Sequence, residues 1–223
     1  MKYDHTAINL QPVTRIKIDK RVAYHQAGHV AAICLGNKQK QLPAVHFQII
    51  IKHQESESQQ SDQFMLTNVK NTVKIEGGRL IQSLPLSFSE VTHSFSWDQQ
   101  EEYRCAFEAD VINLLAGPLS EAKYVALRDG EVFNANLVNL RALLFYGGNG
   151  DMEVITKYMD CFVPDKVDRS RKLAELFSAA YSFVNKRSHW PAISTLAEFI
   201  LDAQKNIILC EEVISILEPG LAV

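Results

Sequence analysis

Two histidines, His25 and His29, stand four residues apart in the stretch from Arg21 to Gly36, which reads as one helix. Positions i and i+4 lie one above the other on a helix, with Cβ atoms roughly 5–6 Å apart. Two imidazoles so placed can reach a single metal ion at about 2.0–2.1 Å per bond. Around them Ala27, Gly28, Ala31 and Ala32 are small, so another helix can approach closely. Gly28 inside a helix costs roughly 1 kcal/mol relative to alanine, which calls for a packing reason. With seven histidines in the chain, the alternative is a chance pair packed in a helix interface.

The residue after His25 decides what such a metal could do. In the zinc-hydrolase form of the motif, H-E-x-x-H, a glutamate takes a proton from metal-bound water and passes it to the leaving amine. Here that slot holds Gln26. An amide has no oxygen of useful basicity, and losing a general base costs roughly 10²–10⁴-fold in rate. The pair keeps a grip for metal and lacks the group that would use it.

The elements that must position these residues follow from periodicity and punctuation. The first helix is expected from Asp19, as N-cap, to Gly36, as stop. Val45 to His53 is β-branched and partly alternating, a strand with His46 and His53 on its surface and no partner at ligand spacing. Gln54 to Asp62 reads as a loop, Phe64 to Ile75 as a weaker strand, and Gly77-Gly78 as a turn. Pro85 excludes a regular helix between Leu80 and Trp97, so a long loop or short pieces are expected there. Asp98 to Arg128 has apolar residues at helical spacing, with Pro118 expected to kink or divide it. Further helices are expected over Asn136 to Tyr146, Asp151 to Phe162, Val167 to Lys186, Trp190 to Gln204 and Cys210 to Leu217. The reading is a single α+β, mostly helical domain over 20–218, with a small β-sheet beside the histidine helix. A lead-in (1–19) and a tail (219–223) flank it.

Composition narrows the function classes. The chain has 223 residues, 47% of them hydrophobic, and a net charge of −3. That charge gives no footprint for nucleic acid or an anionic membrane. Residues 1–20 lack the apolar core of a signal peptide, and no run reaches the roughly 18–20 apolar residues of a membrane span. A cytoplasmic location is expected. Cys34, Cys105, Cys161 and Cys210 are far apart, without a Cys-x-x-Cys, so reduced, buried thiols are expected rather than a thiolate zinc site.

Several blocks together resemble a known family. Val22-Ala23-Tyr24-His25-Gln26-Ala27-Gly28-His29 is similar to the metal helix V-A-x-H-E-A-G-H of FtsH-type ATP-dependent zinc metalloproteases. Leu115-Ala116-Gly117-Pro118-Leu119-Ser120-Glu121-Ala122 resembles their second signature, roughly L-x-G-x-x-A-E. Gly148-Asn149-Gly150-Asp151-Met152-Glu153 resembles the stretch whose aspartate is a third zinc ligand. Trp190 to Ile200 and Cys210 to Leu217 resemble the closing helices. The blocks fall in family order over about residues 20–218.

The resemblance implies Zn²⁺ held by His25, His29 and Asp151, with a fourth position for water or substrate. Read from its neighbours alone, Asp151 would instead be a helix N-cap or first-turn carboxylate. Glu121 is the candidate partner for the far ring nitrogen of a metal-bound histidine, against an ordinary surface glutamate. No G-x-x-x-x-G-K-[ST] occurs, so no ATP site is expected, and the chain resembles a free-standing peptidase-type domain. Gln26 leaves three explanations open: a natural pseudopeptidase that binds a peptide or protein partner in the cleft, an enzyme that recruits another base, or a substitution introduced at this position. A fourth reading is a helical scaffold without metal. In zinc peptidases of this sort substrate commonly adds as an extended strand, so Val45 to Ile51 is expected to offer an edge and line the cleft. Oligomeric state stays open.

Overall fold

The computed structural model of the chain describes residues 18–52 and 72–217. The expected Gln54–Asp62 loop, the strand start at Phe64, His53, the tail and nearly all of the lead-in lie outside the described residues.

Helix α1 (Lys20–Ala31) opens on Asp19, whose side chain accepts from the Arg21 N–H. It continues past the expected stop at Gly36. A π-helical turn (Ala32–Gly36) leads into a short α2 (Asn37–Gln39). The i→i+5 turn is rare.

Strands β1 (Phe47–Lys52), β2 (Thr72–Gly77) and β3 (Ile207–Leu209) form an antiparallel sheet in the order β2-β1-β3. Ile49 sits opposite Ile75 on one side and Ile208 on the other. The expected edge at Val45 to Ile51 is therefore the middle of the sheet, because a strand from the far end of the chain pairs with it. The edge strands are β2 and β3. Phe47, Ile49 and Ile51 alternate inward and are fully buried.

Helix α3 (Phe88–Thr92) is a short piece within the expected irregular region. Helix α4 (Trp97–Arg128) starts with a Ser96/Gln99 capping box. It is one helix through Pro118 and is not divided. That proline cannot donate to the carbonyl four residues back, and its ring lies under Gly148 of the loop before the next helix.

Asn136 to Tyr146 is not a helix. It is a set of turns with one 3₁₀ turn at Ala142–Phe145. The Asn134 and Asn139 side chains accept from the N–H groups of Asn136 and Ala142, at 2.9 and 3.0 Å. Local bonds of this kind compete with the helical ladder.

Helices α5 (Asn149–Phe162), α6 (Lys166–Asn185), α7 (His189–Asp202) and α8 (Cys210–Leu217) complete the chain. The fold is α+β, mostly helical, with a single core. Helix α1 is sandwiched between α4 and α7, with Ala23, Ala27, Ala31, Ile193, Leu196 and Ala197 fully buried. None of the four cysteines is in a disulfide; Cys161 and Cys210 are buried, whereas Cys34 is half-buried and Cys105 exposed, contrary to expectation. Among the described residues no helix is long and apolar enough to cross a membrane.

Candidate metal centre

The two histidines sit where α1 crosses α4, and glycine makes the crossing close. A Cβ on Gly28 would lie 2.3 Å from Ser120 Oγ and 2.5 Å from the Ala116 carbonyl oxygen. The packing reason that Gly28 demands is thus contact with the α4 backbone.

His25 and His29 are 7% and 8% exposed. Their Nδ1 atoms face fixed partners. His29 Nδ1 lies 2.8 Å from the Asn113 carbonyl oxygen. His25 Nδ1 lies 3.1 Å from both Glu121 Oε2 and the Tyr146 carbonyl oxygen. With Nδ1–H donating to these acceptors, both Nε2 atoms are turned inward.

They face Asp151. Its Oδ2 is 3.1 Å from His25 Nε2 and its Oδ1 is 3.4 Å from His29 Nε2. Asp151 lies in the first turn of α5, where the N-cap is Gly148, so the carboxylate is not the cap. It still benefits from the positive end of the helix. One ligand atom from each of His25, His29 and Asp151 lies within 4.8 Å of the others.

Glu121 is buried, 4% exposed, rather than on the surface. Arg21 donates from Nε to Glu121 Oε1 at 2.8 Å and from a terminal nitrogen to the Phe145 carbonyl at 2.9 Å. This ties α1, α4 and the loop before α5 into one frame around His25. Gly147, at φ +70°, closes that loop; a Cβ there would lie 3.0 Å from both Glu121 Oε2 and His25 Nδ1.

Electrostatics follow from this packing. Burial alone would lower the His25 pKa, but hydrogen bonds to Asp151 and Glu121 and their charges overcome it and push it up to about 9. Burial would raise the Asp151 carboxyl, yet the His29 and His25 rings hold it well below the usual carboxylate range. Without metal, the centre is an imidazolium between two carboxylates.

A cavity of about 140 Å³ opens beside His29 and Asp151. Ile33, Leu114 and Ile75 give it apolar walls, and Gly77, Gly78 and Arg79 lie along its β2 side. Val45 and Phe47 line a different cavity, with Pro43 and Ile214, so the expected cleft wall at Val45 to Ile51 is replaced by β2. Gln26 is half-buried and does not line the cavity beside His29. Asp110 also lines that cavity, and it accepts from the Leu80 and Ile81 N–H groups at 2.9 Å each and from the Tyr158 hydroxyl at 2.9 Å. Burial raises the Asp110 carboxyl pKa, and these three bonds oppose the rise.

Sequence reasoning missed Arg21, Asn113, Tyr146 and Asp110. Arg21 precedes His25 by one helical turn, which was a readable signal. The Asn113 and Tyr146 contributions are main-chain carbonyls, for which no residue type is a marker.

The donor set fits zinc. Two imidazoles and a carboxylate converge, the ring tautomers are set by fixed acceptors, and the ligand atoms need only small movements to share one ion. No family model, curated protein or solved structure matches this chain.

Proposed function

We propose that the chain is a zinc-binding, metallopeptidase-like domain whose proteolysis is impaired or absent, and that its cleft binds an extended peptide or protein segment. The observation that carries this reading is the convergence of His25, His29 and Asp151 from helices far apart in sequence, with both outer ring nitrogens held. The FtsH-type resemblance supports it through the order of its blocks. Bound zinc would lower the pKa of its water and polarise a carbonyl.

The chain's own residues supply the rest. His25, His29 and Asp151 would hold the ion. Glu121 accepts the His25 Nδ1 proton and keeps Nε2 unprotonated once the ion displaces the second proton. Arg21 holds Glu121 in place. Gln26, at the position of the general base in the motif, cannot take up a proton, which accounts for the expected loss of turnover. The β2 edge beside the cavity can pair with an extended chain. Ile33, Ile75 and Leu114 would receive an apolar side chain.

The test has two parts. Protein purified without added metal should carry one zinc that Asp151→Ala loses, and an anomalous peak should lie between the imidazoles and Asp151. Gln26→Glu should create casein hydrolysis that a chelator abolishes. Bound zinc without hydrolysis in Gln26→Glu would reject a latent peptidase and leave a binding domain.

A second reading rests on the ion pairs of His25 with Asp151 and Glu121. They neutralise the buried imidazolium without a metal, as a helical scaffold requires. Absence of zinc at saturating concentration would favour it.

A further inference from the structure

We propose that His46, Cys210 and Glu211 form a second metal site, for a zinc-like divalent cation, where β1, β3 and α8 meet. One ligand atom from each lies within 4.8 Å of the other two. A tetrahedral ion with bonds of about 2.0–2.3 Å holds its ligands roughly 3.3–3.8 Å apart. Side-chain adjustment alone closes that difference. Imidazole nitrogen, thiolate sulfur and carboxylate oxygen together suit zinc rather than magnesium or calcium.

The scaffold beneath the three donors is fixed. Antiparallel pairing sets Gln48 opposite Leu209, so His46, just before β1, and Cys210 and Glu211, the first residues of α8, lie at the same end of the paired strands. The His46 carbonyl oxygen accepts from the Gly78 N–H at 2.9 Å, which pins its backbone on the other side. Glu212, next in the chain, accepts from the Leu209 N–H and pairs with Lys205, so Glu211 is the carboxylate that turns to His46 and Cys210. The thiol is buried, while the imidazole and the carboxylate are exposed. A hydrated ion can therefore arrive from solvent onto two exposed donors before meeting sulfur. Binding exchanges the S–H bond for a metal–sulfur bond and releases the proton to solvent, with no change of oxidation state. The bound ion would fasten α8 to the sheet.

Neither a Cys-x-x-Cys nor a histidine at helical spacing announces this group. Its donors come from opposite ends of the chain, and only the β1–β3 pairing unites them. The centre on α1 contains no cysteine, so sulfur distinguishes the two sites.

The test is a cadmium titration of the full chain in a Cys105→Ser background, followed by thiolate-to-cadmium charge-transfer absorption. One equivalent should saturate the absorption. It should vanish in Cys210→Ser, persist in Asp151→Asn, and appear with affinity weakened about 10-fold or more in His46→Ala and in Glu211→Gln. His46 and Glu211 are exposed, so their variants keep the fold. Absorption that survives Cys210→Ser, that is absent from the parent, or whose affinity is the same in His46→Ala and Glu211→Gln as in the parent overturns the proposal.

Discussion

The imidazole of His29 lies across Gly117: a Cβ at that position would sit 2.2 Å from Nε2 and 2.4 Å from Cε1. The nitrogen that would hold the metal thus occupies space that only glycine leaves on α4. One turn of α1 earlier, His25 depends in the same way on Gly147, and between them Gly28 rests on Ser120 and the Ala116 carbonyl. The centre is built by backbone proximity as much as by side chains.

Gly117→Ala should displace the His29 ring. Overpacking of this kind costs about 1–3 kcal/mol, and the displaced Nε2 should lower zinc affinity as well. Urea denaturation of the metal-free protein and a zinc competition titration measure the two effects separately. Gly28→Ala should lose comparable stability, because the blocking atom includes a main-chain oxygen that cannot swing aside.

Glu121→Gln keeps the shape beside His25 and removes the charge. Loss of a partner of this kind lowers metal affinity by roughly 10–100-fold. A calorimetric zinc titration should show that loss without a large change in secondary structure by circular dichroism.

In the metal-free protein the His25 pKa is raised from 6.5 to about 9. The folded state then binds a proton more tightly than the unfolded chain. Its stabilisation is complete below pH 6.5 and is lost as pH rises through about 9. The loss is on the order of 3 kcal/mol, at about 1.4 kcal/mol per unit. The Tm of metal-free protein should fall over that window, and the slope should flatten in His25→Gln. The same proton must leave when zinc binds, so zinc binding near pH 7 should release protons, which calorimetry in buffers of different ionisation enthalpy detects.

Tyr158→Phe removes the hydroxyl that donates to Asp110. The ring is fully buried, so shape is retained and the cost is about 1–2 kcal/mol for the lost bond. With one of the bonds that oppose its rise gone, the Asp110 carboxyl pKa should move further up. Carbon-detected NMR titration of the Asp110 carboxyl tests this, beside urea denaturation for stability.

Much of the scaffold was legible in the residues alone. Asp19 as N-cap, the long helix to Arg128 and the bounds of the last four helices follow from local signals: a capping side chain, a 3.6-residue apolar period, a glycine-rich break. Where local chemistry competed, the reading failed. Asn134 and Asn139 bind neighbouring N–H groups and dissolve the helix expected over Asn136 to Tyr146. Gly36 reads as a stop, but packing carries the chain through it in a π turn.

The order of residues determined which side chains could serve a metal, because helical pitch alone sets His25 above His29. Only the tertiary structure decided what meets them. Asp151 reaches the two rings, and Glu121 lies buried against His25 rather than in water. The β3 strand pairs with β1 and hands the edge beside the cavity to β2. Such relations span most of the chain, and they arise from the burial of apolar faces, which is non-directional and leaves no short-range mark on the residues it brings together.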